Sequence, residues 1–154
     1  MIQFVDREMT GAEFARANAG FDEHTQEQGN PVQTSERYTV VVLDGQTFTG
    51  CASGLACKNG DGYNGWFYLT DLFVEKAYRR RGLGAVLLSK LEARMAALGI
   101  RHIWTMTAGY EAPGFYCKQG YEVIFEHENW YATGHSQVGL QKRLEGEPST
   151  RSCP

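Results

Sequence analysis

The spacing of hydrophobic residues changes in the middle of the chain, and this change predicts a strand followed by a helix. Residues 66–74 are rich in aromatic and β-branched types, with apolar residues on both faces toward the end, as in a central strand. After Gly84, apolar residues recur every three or four positions, which predicts an amphipathic helix that Gly99 ends. The apolar positions of this helix are Leu87, Leu88, Leu91, Met95 and Leu98.

The N-terminal part of the chain predicts one strand and two helical segments. Residues 2–5 are mostly apolar and predict a short first strand. Thr10 and Glu13 form a capping box that starts a helix, and Gly20 is expected to break it. The polar and acidic residues 21–28 then predict a second helical segment.

Turn signals and alternating polarity predict the remaining elements. Asp44 and Gly45 indicate a hairpin with a type I′ turn, which needs positive φ at both central residues. The glycine-rich residues 58–65 predict a loop before the central strand. Further strands are expected at 37–43, 47–57, 101–107, 121–126 and 136–144, with a short helix at 112–119. The total is about seven strands and about four helices, an α/β (α+β) arrangement.

Length and composition favour one ordinary globular domain. The 154 residues suit a single domain at 1–144 followed by a loose tail at 145–154. The net charge of −3 argues against nucleic acid as a partner. No apolar run is long enough to span a membrane and no secretory signal is visible, so we expect a cytoplasmic protein. The cysteines show no CxxC spacing and are interpreted as free thiols that bind no metal: Cys51, Cys57, Cys117 and Cys153.

Three arginines and two glycines lie between the predicted central strand and its helix, at residues 79–84. A helix N-terminus leaves about four N–H groups unpaired and carries about half a positive charge, so neighbouring arginines make it an anion site. The anion that fits is a phosphate or a pyrophosphate. The segment lacks the third glycine of a dinucleotide fingerprint and the Gly-Lys-Ser/Thr of a nucleoside triphosphate loop.

Two motifs, in this order and spacing, resemble one family. The RxxGxG motif at residues 79–84 resembles the acyl-CoA pyrophosphate loop of the GNAT superfamily of N-acetyltransferases. The run Ala112–Tyr121, which contains Tyr116, resembles the late helix and following strand of that family, and the resemblance covers about residues 37–144. It implies a single GNAT-like domain with a mixed, strongly twisted sheet whose two central strands splay apart.

The resemblance implies acetyl-CoA as the co-substrate. Its pantetheine arm would lie between the splayed strands and pair with main-chain groups of Leu72, Phe73 and Val74. Its pyrophosphate would lie on the arginine loop and the start of the helix. The implied residues of this loop are Arg79, Arg80, Arg81, Gly82, Leu83, Gly84 and Ala85.

Acetyl transfer to an amine requires a base. A primary amine with an ordinary pKa of about 10.4 arrives protonated and must lose a proton before it attacks a thioester. Relatives often relay this proton through water from acidic residues or histidines at about the positions of Tyr68 and Thr70, and neither position is acidic here. Asp71 is the first candidate base, Glu111 the second, and a water chain without a single base the third. A purely structural carboxylate is the alternative for Asp71.

Tyr116 matches the general acid of the family, which protonates the departing thiolate. A phenol with a pKa of about 10 gives its proton to a thiolate of about 8.5 at a cost of ~2 kcal/mol. Tyr116 therefore either has a lowered pKa or acts mainly as a hydrogen-bond donor. A core tyrosine packed beside Phe115 is the alternative.

In the family, the early helices form one wall of the acceptor site. Asp22, His24 and Glu27 would there recognise an amine, and a solvated helix face is the alternative. Aromatic rings favour a cation. The other expected substrate-binding residues are Trp66, Tyr68, Tyr131 and His135. Gly109 stands where many relatives have an asparagine directed at the cofactor.

These interpretations predict an acetyl-CoA-dependent N-acetyltransferase that acts on the primary amine of a small molecule in a ternary complex. Two alternatives stay open, namely acetylation of a protein lysine or N-terminus, and a non-catalytic acyl-CoA-binding module. We expect no nucleic acid or membrane partner, and the sequence leaves the assembly open between a monomer and a homodimer.

Overall fold

The secondary structure forms one mixed sheet with helices along it. The computed structural model describes residues 1–110 and 113–144. These residues contain six strands, namely β1 Gln33–Asp44, β2 Thr47–Asn59, β3 Gly62–Val74, β4 His102–Ala108, β5 Glu122–His127 and β6 Gln137–Arg143. They also contain three α-helices, namely α1 Gly11–Glu27, α2 Leu83–Ala97 and α3 Pro113–Lys118, and a 3-10 turn at Lys76–Tyr78.

The strand order is β1-β2-β3-β4-β6-β5. The β3–β4 pair is parallel and the other pairs are antiparallel. α2 is the crossover that a parallel pair requires, and it packs along one face of β1, β2 and β3. The predicted apolar side of this helix is confirmed, because Leu87, Leu88, Leu91 and Met95 are buried. The main core lies between these residues and the buried Phe67 and Leu69 of β3.

Two predictions for the N-terminal part are wrong. Residues 2–5 form no strand, so the described chain has six strands instead of about seven. Gly20 does not break α1, so one helix replaces the predicted pair and three α-helices replace about four. A glycine inside a helix costs only about 1 kcal/mol relative to alanine. Two hydrogen bonds from Arg16 to Glu23, at 3.0 and 2.9 Å, also span this position.

The turns also differ from the prediction. The expected β1–β2 hairpin forms, but its central residues are Gly45 and Gln46, and only Gly45 has positive φ, at 60°. That pattern belongs to a type II′ turn instead of type I′. The predicted loop at 58–65 is wrong, because β2 continues to Asn59 and β3 already starts at Gly62.

The central strands β3 and β4 splay apart, as the resemblance implies. They pair only where Trp66–Tyr68 lies beside His102–Trp104. A bond from Thr105 Oγ1 to Leu69 O, 2.9 Å long, crosses the start of the opening. A register shift against β2 leaves Thr70 opposite no residue, and such a bulge turns over the residues that follow.

The cysteine prediction is partly wrong. Cys51 and Cys57 are free thiols as expected, whereas Cys117 is disulfide-bonded. Disulfides are typical of oxidising compartments, so the cysteines do not support the cytoplasmic prediction. In the described part of the chain, no helix is both long and apolar enough to cross a membrane. The predicted tail at 145–154 lies outside the described residues.

Candidate active site

A cleft of about 660 Å³ lies where β3 ends and α2 begins. Nine of the ten predicted cofactor residues line it: Leu72, Phe73, Val74, Arg79, Arg80, Gly82, Leu83, Gly84 and Ala85. Tyr78, Tyr110 and Phe115 also line it, and the sequence analysis did not assign these three to the cofactor. The fold thus brings the end of the central strand, the arginine loop and the late helix around one space.

The backbone of the arginine loop leaves the start of α2 open. Gly82 is the N-cap with φ 75°, and no side chain caps the first helical N–H groups. A Cβ added to Gly82 would meet no atom within 4 Å, so the space in front of it is open. Arg80 also has positive φ, at 61°, which costs a residue with a Cβ about 1–2 kcal/mol. Open N–H groups at the positive end of a helix fit an anionic group.

The three arginines have different surroundings. Arg79 Nε donates to Val74 O at 3.0 Å and ties the loop to the end of β3. Arg80 lines the cleft beside it. Arg81 does not line the cleft. Its guanidinium lies 5.0 Å from the centre of the Tyr78 ring and donates to Ala77 O at 3.4 Å. The geometry therefore favours Arg79 and Arg80 over Arg81 as ligands of an anion.

A smaller cavity of about 220 Å³ lies between the diverging ends of β3 and β4. Two of the predicted catalytic residues, Asp71 and Tyr116, line it together. Leu72 and Phe73 line both cavities, so the two spaces adjoin along β3. The other lining residues are Thr70, Thr105, Met106 and Thr107. A carboxylate and a phenol therefore lie together in the wall of the smaller cavity, next to the cleft.

Asp71 lies on the face of the sheet opposite α2, because the bulge at Thr70 turns it away from the buried side. Its side chain is 58% exposed. Its Oδ2 accepts a hydrogen bond from Thr70 Oγ1 at 2.6 Å and lies 3.7 Å from a guanidinium nitrogen of Arg37. The sequence analysis missed Arg37, because only the register of β1, β2 and β3 brings it to Asp71. The one sequence signal that could have indicated Arg37 was its charge within a predicted strand.

Tyr116 reaches the smaller cavity from the core side and is 6% exposed. Its ring contacts Phe115 and Tyr121 edge-on, with centroids 5.4 Å away in both cases. Tyr121 donates to Glu92 at 3.0 Å, and Lys142 donates to the same carboxylate at 2.8 Å. Burial, followed by the charge of Glu92, raises the pKa of Tyr121, which therefore stays neutral. Tyr116 is thus both a packed core residue and part of the cavity wall.

The comparisons with known proteins agree with this geometry. The sequence profile of the acetyltransferase (GNAT) family matches residues 4–121. The chain belongs to this family. A comparison with curated proteins gave no match.

Solved structures of GNAT proteins share the fold. An acetyltransferase from Bacillus cereus ATCC 14579 is 23% identical with a TM-score of 0.75, covering 91% of this chain and 97% of that one. An aminoglycoside 6′-N-acetyltransferase complexed with coenzyme A is 22% identical with a TM-score of 0.60, and the match covers 82% of this chain and 81% of that one. The aminoglycoside 6′-N-acetyltransferase from Enterococcus faecium is 21% identical with a TM-score of 0.59, also covering 82% and 81%. Identities this low establish the fold alone.

In this GNAT protein the predicted acceptor residues of β3 lie on the same face as Asp71. Trp66 stacks on His102 with ring centroids 4.4 Å apart, and Tyr68 stacks on Trp104 at 4.1 Å. Neither Trp66 nor Tyr68 lines the two cavities. They lie where β3 and β4 are still paired, so they precede the opening instead of walling it.

The other two predicted aromatic residues belong to a different cluster. Tyr131 and His135 contact the ring of Tyr110 edge-on, at centroid distances of 5.2 and 5.3 Å. His135 Nδ1 lies 2.8 Å from Thr133 Oγ1. Because Tyr110 lines the larger cleft, Tyr131 and His135 lie beside its mouth. The predicted aromatic residues therefore form two groups instead of one pocket.

Three predicted acceptor residues line neither of the two cavities. Asp22, His24 and Glu27 lie on α1, no residue of which is buried. His24 Nδ1 is 3.7 Å from Glu27 Oε2, and both side chains are more than 70% exposed. Glu111, the second candidate base, lies outside the described residues.

Gly109 has a structural reason to lack a side chain. Its N–H donates to Ser136 O at 2.7 Å. A Cβ there would lie 3.1 Å from the same oxygen and 3.4 Å from Ser136 N. The main chain before β6 thus occupies the space where an asparagine side chain would begin.

We expect Gly109→Ala to lower the free energy of unfolding by about 1–3 kcal/mol, because the backbone at Ser136 must move to admit a Cβ. Thermal unfolding measures this change. Gly62→Ala is the matched control, since a Cβ at Gly62 meets no atom within 4 Å. Equal stability of the two variants would contradict the close approach at Gly109.

Proposed function

We propose that this GNAT protein transfers the acetyl group of acetyl-CoA to the primary amine of a small molecule by direct attack in a ternary complex. The observation that carries the proposal is the junction of the two cavities. The cleft at the arginine loop adjoins, along Leu72 and Phe73, the smaller cavity that Asp71 and Tyr116 line. Groups suited to anion binding and to proton transfer therefore lie along the same end of β3.

The residues of the cleft fit acetyl-CoA, which supplies the acetyl thioester. Arg79, Arg80 and the open N-terminus of α2 would hold its pyrophosphate. Beyond Tyr68, β3 has no pairing with β4, so main-chain groups of Leu72–Val74 on that side can bind the amides of pantetheine. One structural neighbour of this chain was solved with coenzyme A, which supports the same ligand class.

Asp71 and Tyr116 have complementary positions for the chemistry. Asp71 lies on the exposed face and would accept a proton from the incoming ammonium group. Tyr116 reaches the cavity from the core and would donate its hydroxyl hydrogen to the departing thiolate. Cys117 is disulfide-bonded and so cannot serve as a nucleophile in this state, which favours direct attack by the amine.

A protein amine is the second candidate acceptor. The sheet face that carries Asp71 is open in one chain, and an open face can admit a peptide. Two aminoglycoside N-acetyltransferases among the structural neighbours support the small-molecule acceptor instead. A non-catalytic acyl-CoA-binding module is the third candidate, since Tyr68 and Thr70 are not acidic.

A substrate screen that reads the release of free thiol from acetyl-CoA tests these candidates. The acceptors are polyamines, aminoglycosides, amino-acid derivatives, and peptides with a lysine or a free N-terminus. We expect release above the amine-free background with small amines and little release with peptides. Release with peptides alone would assign a protein acceptor. Binding of acetyl-CoA without release for any amine would assign the non-catalytic module.

We expect Asp71→Asn to slow acetyl transfer about 10-fold to 10²-fold. This is at or below the smallest rate effect that is usual for a positioned general base, because water can partly replace an exposed carboxylate. Asp61→Asn, in the β2–β3 turn, is the matched control and should leave the rate unchanged. An unchanged rate in Asp71→Asn would leave the water chain as the route for the proton.

A further inference from the structure

The N-terminal arm, defined as residues 1–30, carries apolar side chains that bury little surface in its own chain. Phe14, Ala17 and Phe21 are spaced three and four positions apart, so they form one stripe along α1. Phe14 is 57% exposed and Phe21 is 71% exposed. Five further exposed apolar residues precede the helix, namely Met1, Ile2, Phe4, Val5 and Met9.

α1 is nevertheless a well-formed helix. Thr10 and Glu13 make the predicted capping box, and Arg7 adds two bonds to Glu13 at 2.8 and 2.7 Å. The Arg16–Glu23 pair lies on the side opposite the apolar stripe. Most helices in proteins gain their stability by packing an apolar face and not from helix propensity alone. The stripe of α1 therefore requires a surface to pack against.

A matching surface lies on the sheet face opposite α2. We define the open patch as Val41, Leu43, Phe48 and Phe73, which are 49%, 56%, 45% and 40% exposed. Leu43 pairs with Phe48 across β1 and β2, and Val41, Cys51 and Phe73 form the next cross-strand row. The rings of Phe48 and Phe73 are stacked with centroids 6.3 Å apart. Within the described residues, no helix covers this patch.

The edge of the sheet is also incomplete. β1 has 12 residues and, among residues 1–110 and 113–144, pairs with β2 alone, so its other edge has no partner strand there. A long free edge of this kind readily pairs with another strand. Residues 2–5 have the apolar pattern of a strand but no partner in the described chain. The arm therefore contains both elements that the sheet lacks, a strand and a covering helix.

The hinge between α1 and β1 is short and constrained. Gly29 has φ 78°, and Asn30 N donates to Thr25 O at 3.1 Å, which closes the end of α1 in a defined geometry. Pro31 lies beside Gly60 of the β2–β3 turn and restricts the chain there. Among the described residues, α1 makes no extensive contact with the sheet of its own chain. Short, constrained hinges of this kind favour exchange of an element between two chains.

We propose that two copies of this chain exchange their N-terminal arms, so that α1 of each copy covers the open patch of the other and residues 2–5 extend the edge of β1. Each arm holds seven exposed large apolar side chains, at residues 1, 2, 4, 5, 9, 14 and 21. If these and the four side chains of the open patch each lose roughly 70 Å² of exposed surface, two exchanged arms bury about 1,500 Å². A stable interface needs about 1,200–2,000 Å².

The exchange would also change the acceptor site. This consequence rests on the proposed function, whereas the exchange itself is independent of it. By helical spacing, Asp22 and His24 flank the apolar stripe on its two sides. The exchange would bring them to the sheet face that carries Asp71 and convert an open face into a pocket. A pocket with added acidic groups suits a small cationic amine.

Measurement of the molecular mass by light scattering and sedimentation tests the exchange. Wild type is expected to have twice the chain mass at micromolar concentration, and the double variant Phe14→Glu/Phe21→Glu to have the mass of one chain. Ile124→Glu, which places the same charge at a 40% exposed position on β5, is the matched control and should stay dimeric. A wild type that is monomeric up to 100 μM, or a double variant that remains dimeric, would overturn the proposal.

A photo-crosslink distinguishes exchange from folding back. With Phe21→benzoylphenylalanine, irradiation should join two chains, and mass spectrometry should map the link to residues 41–73. A link within one chain, or a link between chains outside the open patch, would overturn the exchange. Neither measurement needs acetyl-CoA or an amine, so a failure of the proposed function does not affect them.

Discussion

Tyr116→Phe is expected to slow single-turnover acetyl transfer 10²- to 10³-fold while acetyl-CoA affinity barely changes. Phenylalanine preserves the ring contacts with Phe115 and Tyr121 and removes only the hydroxyl group. A donor to the departing thiolate acts mainly as negative charge develops on sulfur, so its loss affects turnover more than binding. The expected factor corresponds to about 2.7–4 kcal/mol. Rapid-quench kinetics and calorimetric binding measure the two quantities.

Tyr121→Phe is the matched control for this prediction. Tyr121 is also buried, but its hydroxyl group donates to Glu92 instead of facing the cavity. Its loss should lower the free energy of unfolding by roughly 1.5–3 kcal/mol and leave the transfer rate within a few-fold. A folded Tyr116→Phe protein that transfers at a near wild-type rate would exclude Tyr116 as the acid.

Gly82→Asp is expected to abolish the rise in Tm that acetyl-CoA causes. At a ligand concentration of 100 Kd, binding stabilises a protein by about 2.7 kcal/mol, which raises Tm by roughly 5–10 °C for a chain of this size. Gly82 caps α2 with φ 75° and faces open space, so an aspartate there would place a negative charge at the expected pyrophosphate position. Differential scanning fluorimetry with and without acetyl-CoA measures the shift.

Gly82→Asn separates charge from backbone geometry. Asparagine has the shape of aspartate and tolerates positive φ equally well, but it is neutral. We expect this variant to keep a substantial part of the ligand-induced shift. If Asp and Asn reduce the shift equally, backbone strain at Gly82 is the cause. If Gly82→Asp keeps the full shift, the pyrophosphate binds elsewhere.

The predictions that the structure confirms depend on local pattern. The apolar spacing of α2 and the capping box of α1 arise from interactions within a few residues, which the sequence contains directly. The arginine loop is similar, because its glycines and the helix start are adjacent in the chain. Gly82 indeed has the positive φ that a glycine permits.

Two predictions that failed, for residues 2–5 and for Cys117, concern residues whose state depends on distant partners. Residues 2–5 have the composition of a strand, but a strand forms only where another strand pairs with it. The failure at Gly20 is local, because one glycine is a weak helix breaker and α1 continues past it. The free-thiol prediction failed at Cys117, since spacing excludes some disulfides and reveals none.

The sequence by itself determined the family motifs, the central strand and helix, and the residue types available for acetyl transfer. The tertiary structure alone decided their arrangement. The bulge at Thr70 turns Asp71 to the exposed face, and strand register places Arg37 beside it. The splay of β3 and β4 opens the cavity that is lined by both Asp71 and Tyr116, 45 positions later in the chain. Such contacts depend on register and packing between distant segments, and local residue pattern does not encode them.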